Sequence, residues 1–128
     1  MIFAHTLEKV LVGKKSQTRR IAKPDEQLRV ENGIRRVYRK GNRTMYQVGK
    51  SYSIQPGRGK KAVARLIILD IKHEPVSSIT EDDALAEGFP SRESFLNAWR
   101  EIHGNQANLG QEVWVLEFKL EHSSSIIK

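Results

Sequence analysis

Ala62-Val63-Ala64-Arg65-Leu66-Ile67-Ile68-Leu69-Asp70-Ile71-Lys72-His73 is long, mostly apolar and rich in β-branched side chains. That composition belongs to a central strand buried on both faces over part of its length. Glu112 to Leu120 is a second strong strand, in which Trp114, Leu116, Phe118 and Leu120 alternate with Val113, Val115, Glu117 and Lys119. Between the two lies helical sequence. Thr80 is a natural N-cap followed by Glu81, Asp82 and Asp83, acids that favour the positive end of a helix dipole, and Gly88 closes that helix. A second helix, from about Ser91, sets Phe95, Trp99 and Ile102 on one face and stops before Gly104.

Towards the N-terminus the elements shorten. Ile2 to Ala4 reads as a brief strand, and Leu7, Val10 and Leu11 recur at helical spacing before Gly13. Thr18 to Ile21 reads as a strand and Ala22 to Gly33, with Pro24, as a loop. Ile34 to Arg39 and Tyr46 to Val48 pair as a ribbon across Gly41-Asn42, and Tyr52 to Gln55 follows a turn at Gly49-Lys50. Several short strands with clustered helices make an α+β protein. Five to seven strands in so small a chain favour a small β-barrel, with two to four short helices at its side.

The chain of 128 residues is long enough for one domain to bury a core, so residues 1–128 are expected to fold as a unit with a flexible tail at 122–128. It contains no cysteine, which excludes disulfides, thiolate metal sites and a cysteine nucleophile. Histidines 5, 73, 103 and 122 lack metal-ligand spacing, so neither a metal nor another cofactor is expected. No signal peptide or membrane-length apolar run is visible, and the expectation is a soluble cytoplasmic protein.

Charge is distributed unevenly. Residues 1–65 hold 17 Lys and Arg against 4 Asp and Glu, a net +13; residues 66–128 hold 5 against 11, a net −6. A concentrated basic region attracts polyanions, of which nucleic acid is the commonest, and its interleaved tyrosines suit stacking on unpaired bases. Lys14, Arg19, Arg20, Arg35, Arg36, Tyr46, Lys50, Tyr52, Arg58, Lys60 and Lys61 are therefore candidate nucleic-acid contacts.

The run Gly13-Lys14-Lys15-Ser16-Gln17-Thr18-Arg19-Arg20 packs four cations, two hydroxyls and an amide into eight residues. Such a run can grip an anion, and its neighbouring charges make it harder for Lys15 to keep its own proton. Glu87 stands near the C-terminal end of its predicted helix, where unpaired carbonyls disfavour an acid. A cation such as Lys15 would compensate it.

These segments, together with Tyr46 to Gly57, Ala86-Glu87-Gly88-Phe89 and Val113 to Phe118, resemble the ASCH domain in order and separation across nearly the whole chain. The resemblance implies a PUA-like β-barrel with helices beside a basic cleft, and RNA or modified nucleosides as partners. One branch of the family is similar to amidohydrolases that deacetylate N4-acetylcytidine, and the matching positions here are Lys15, Thr18 and Glu87. Lys15 and Thr18 would point to opposite faces of a regular strand, so they converge only if Lys15 lies in a turn or a bulge intervenes.

The expected function is RNA binding, of single-stranded or loop RNA in a basic cleft, with or without ribonuclease-type hydrolysis. The alternatives are a metal-independent amidohydrolase acting on a nucleoside through Lys15, Thr18 and Glu87, and a protein-interaction module using the acidic half. A basic insertion from about Ala22 to Met45 favours a polymer over a free nucleoside.

Overall fold

The two strong strands pair with each other and organise everything else. In a computed structural model describing residues 1–104 and 108–121, β6 (Ala64–Pro75) runs antiparallel to β7 (Glu112–Glu121), with Leu69 bulged out between Ile68 and Asp70. β1 (Gln17–Ile21) lies on the far side of β7, and β5 (Ser51–Ile54) on the far side of β6, giving a four-stranded order β1-β7-β6-β5. β7 is buried on both faces. Trp114, Leu116 and Phe118 enter one core with Phe3, Val37, Ile54, Leu66 and Ile71, while Val113 and Val115 enter another with Val76, Ile79, Phe95 and Trp99. Strand alternation thus serves two cores at once.

The second core is closed by helices. α2 (Glu81–Ala86) begins with a capping box in which Thr80 and Asp83 exchange side-chain and backbone hydrogen bonds, and α3 (Arg92–His103) begins with the same device on Ser91 and Ser94. A single 3₁₀ turn, Val76–Ser78, and the short α1 (Leu7–Leu11) complete the helical part.

Three expectations are corrected. Ala22 to Gly33 is not a loop: Gln27–Glu31 forms β2, joined to β3 (Ile34–Arg39) through Asn32-Gly33, both at positive φ. β3 pairs in turn with β4 (Arg43–Gln47), so β2-β3-β4 is a three-stranded antiparallel sheet of its own. This second sheet is why there is no barrel. Beyond β4 the ribbon approaches β6 through single backbone hydrogen bonds such as Gly49 N to Ile68 O, and among the described residues no strand ladder links the sheets. The architecture is a small α+β fold with two antiparallel sheets. The expected strand at Ile2 to Ala4 reduces to one parallel bridge, Ile2 with Gln55, and the proposed tail at 122–128 lies outside the described residues.

Candidate functional site

The basic run is held at both ends. Gly13, at φ 78°, turns the chain out of α1, and the amides of Lys14 and Lys15 both bond the Lys9 carbonyl. Ser16 then donates its amide to Ala86 O at the end of α2 (2.7 Å) and accepts from Phe118 N on β7 (2.9 Å). Lys15 therefore sits in the turn before β1, which removes the strand-alternation obstacle to its meeting Thr18. On the other side, Glu87 is the C-cap of α2, and Gly88 at φ 91° lets the chain reverse. Lys15 Nζ bonds Glu87 Oε1 at 3.0 Å, with the two side chains only 6% and 2% exposed. The misplaced acid has its cation.

Arg19 extends this pair into a buried network. Its guanidinium reaches Glu74 Oε2 (3.1 Å), Asp83 Oδ2 (3.5 Å) and Glu87 Oε2 (3.7 Å), and it also donates to Gln17 Oε1. The last of those carboxylate contacts is longer than a hydrogen bond, and Glu87 Oε2 has no hydrogen-bond partner. Arg20 donates to the Ile2 carbonyl (2.8 Å) and lies over the Phe3 ring. Burial pushes Lys15 below the ordinary lysine range although Glu87 pulls the other way, and burial pushes Glu87 above the ordinary carboxylate range against Lys15, Arg19 and Arg20. The two proton affinities are drawn together. A cavity of about 400 Å³ opens onto this pair, lined also by Thr18, Arg19 and Arg20 and by the rings of Phe3, Phe89, Phe95 and Trp99.

The family model of the ASCH domain matches residues 3–109. The chain belongs to the ASCH domain family. Its fold is similar to an ASCH domain from Lactobacillus crispatus JV V101 (TM-score 0.64, 17% identity, covering 88% of this chain and 68% of that one). It is similar also to a protein from Enterococcus faecalis V583 (TM-score 0.63, 15% identity, 89% and 65%). At such identities the likeness is one of fold. No curated protein matches the chain.

In this ASCH domain the candidate residues separate into groups. Lys15, Thr18, Glu87, Arg19 and Arg20 share the cavity, but both arginines are occupied internally, so their part there is to fix the pocket. Lys14 is exposed beside the cavity without lining it. Arg35 and Arg36 stand on β3 with their side chains on opposite faces of the ribbon; Arg35 pairs with Asp70 at 3.0 Å. Tyr46 packs against the core, and Tyr52 accepts a hydrogen bond from Gln47 N while Lys50 lies over its ring. Arg58, Lys60 and Lys61 are exposed in the connection between β5 and β6. These cations do not line one basic cleft. The sequence reading missed Asp83 and Glu74, which hold Arg19, because nothing in their spacing announces a partner 55 to 64 positions away. It also missed Arg29, whose strand it took for a loop. Among the described residues no helix is long and apolar enough to cross a membrane.

Proposed function

We propose that this ASCH domain binds RNA and receives one unpaired base in the cavity beside Lys15 and Glu87. The observation that carries this is the cavity's mixed lining: the aromatic rings of Phe3, Phe89, Phe95 and Trp99 share a space of about 400 Å³ with a buried lysine–carboxylate pair, a volume suited to a small planar ligand. ASCH domains are generally RNA-binding, and the basic N-terminal half supplies the long-range attraction. Binding of a fluorescent single-stranded RNA is expected to weaken with salt, with a log–log slope of roughly −0.7 per phosphate contacted. An affinity that ignores salt overturns the proposal.

A second reading, nucleoside deacetylation, is favoured by one specific observation: the lysine whose proton affinity is lowered shares the cavity with Thr18. In that chemistry neutral Lys15 takes the Thr18 hydroxyl proton as Oγ attacks the acetamide carbonyl, and Glu87 passes a proton to the departing amine; water then hydrolyses the acyl-threonine to acetate. Lys15→Arg keeps the charge but cannot act as a base, so turnover should vanish with the fold intact. Wild-type protein that releases no acetate from N4-acetylcytidine removes this reading.

A further inference from the structure

The geometry points to a second RNA contact, on the outward face of the β2-β3-β4 ribbon, where Arg29 and Arg36 grip a backbone phosphate beside the ring of Tyr38. It rests on the RNA reading but not on the cavity.

The register sets the arrangement. Arg29 on β2 is directly opposite Arg36 on β3, and Gln27 is opposite Tyr38, so all four side chains share one face. The other face carries Leu28, Val37 and Tyr46 and packs on the core, which turns Arg29, Arg36 and Tyr38 to the outside. Arg29 lies over the Tyr38 ring at 4.8 Å and Arg36 Nη1 reaches the Tyr38 hydroxyl at 3.3 Å. The ring thus brackets the two guanidinium groups together.

Like charges directly opposite each other destabilise a sheet. Elsewhere on this ribbon arginines have carboxylate partners: Arg35 pairs with Asp70, and Arg39, which faces Arg43, pairs with Asp25. Arg29 and Arg36 have no ion-pair partner among the described residues, and the Nε of Arg36 is enclosed without a hydrogen-bond acceptor. Arg29 has no internal acceptor among the described residues and Arg36 has only the Tyr38 hydroxyl, so both forks keep donors that match the oxygens of a phosphate. The flanking tyrosine and the flat guanidinium of Arg29 give an adjacent unpaired base a surface on which to stack, which selects single-stranded over duplex RNA.

The test compares wild type, Arg29→Gln, the double variant Arg29→Gln/Arg36→Gln, and a control, Arg100→Gln/Lys119→Gln, that removes two positive charges from α3 and β7. Binding of a single-stranded RNA is followed by fluorescence anisotropy over a salt series, with circular dichroism to verify the fold. The double ribbon variant should flatten the log–log salt slope by roughly 0.7, the value for the one phosphate that the two arginines share, and Arg29→Gln, at an exposed position, by part of that, while the control keeps the wild-type slope. A double variant that binds as wild type does, or a control that loses as much slope as the ribbon variant, overturns the ribbon contact and leaves RNA binding standing. Wild type that binds no RNA overturns both.

Discussion

Replacing Lys15 by Met isolates the electrostatics of the buried pair, because the thioether keeps the unbranched stem that packs beside Phe3 and deletes only the charge. In the wild type each partner supports the other's charge across the 3.0 Å contact, against the burial that opposes both. Without Lys15 the carboxyl is left 2% exposed with Arg19 at 3.7 Å, and that guanidinium is already bonded to Gln17, Glu74 and Asp83. Burial is then opposed only by Arg19 and Arg20, and Glu87 is expected to fold protonated. Protonating at pH 7 a group whose ordinary value is 4.5 costs about 3.4 kcal/mol, at about 1.4 kcal/mol per pH unit. At pH 5 the same cost is about 0.7 kcal/mol. The sign follows from the proton count: above pH 4.5 the folded variant holds a proton that the unfolded chain has lost, so its stability falls as pH rises. Urea unfolding at pH 5 and pH 7 should show the loss growing with pH, with a fall in melting temperature on the order of 10 °C at pH 7. Lys15→Met/Glu87→Leu, which removes both charges, should recover most of it. A loss that is equal at both pH values refutes the reasoning and assigns the effect to packing.

Gly88→Ala should cost roughly 1–3 kcal/mol in denaturant unfolding, since φ is 91° and the new Cβ would stand 2.9 Å from Lys9 Cδ; the lysine can move aside, so backbone strain dominates. Asp83 provides an acid-side test. Burial pushes its carboxyl up, but hydrogen bonds from Gln17 and Thr80 and the charge of Arg19 outweigh that and hold it below its ordinary value of 3.8. Its contribution is complete above pH 3.8 and disappears as pH falls through the lower folded value, so Asp83→Asn should flatten the acid limb of a stability–pH curve.

Where sequence and structure agree, the signal was local. β6, β7, the cap at Thr80 and the start of a helix near Ser91 were legible because period, β-branching and capping chemistry are written into neighbouring residues. β2 was legible too: Gln27-Leu28-Arg29-Val30-Glu31 alternates polar and apolar ahead of Asn32-Gly33, a strong hairpin turn, but Pro24 and the polar surroundings outweighed that pattern. The barrel failed for another reason. Strand count does not determine closure, which depends on whether edge strands meet, and that is a property of tertiary register. The Lys15–Glu87 contact was foreseeable because an acid at a helix C-terminus demands a cation. The occupation of Arg19 and Arg20 was not, since exposed and buried arginines look alike in a sequence.

The place of β7 between β1 and β6 has a consequence for how the protein is made. Among the described residues β7 is the last strand in chain order, yet β1, about a hundred residues earlier, has no other sheet neighbour. As the chain leaves the ribosome, the β2-β3-β4 ribbon can form from local contacts, whereas β1 and the turn before it lack their β7 partner until Phe118 emerges to bond Ser16. Such long sequence separations slow folding. Until then β6 presents Leu66, Ile68 and Ile71 without their partner strand, so the nascent chain carries an apolar surface of the sort that chaperones cover and that aggregation recruits.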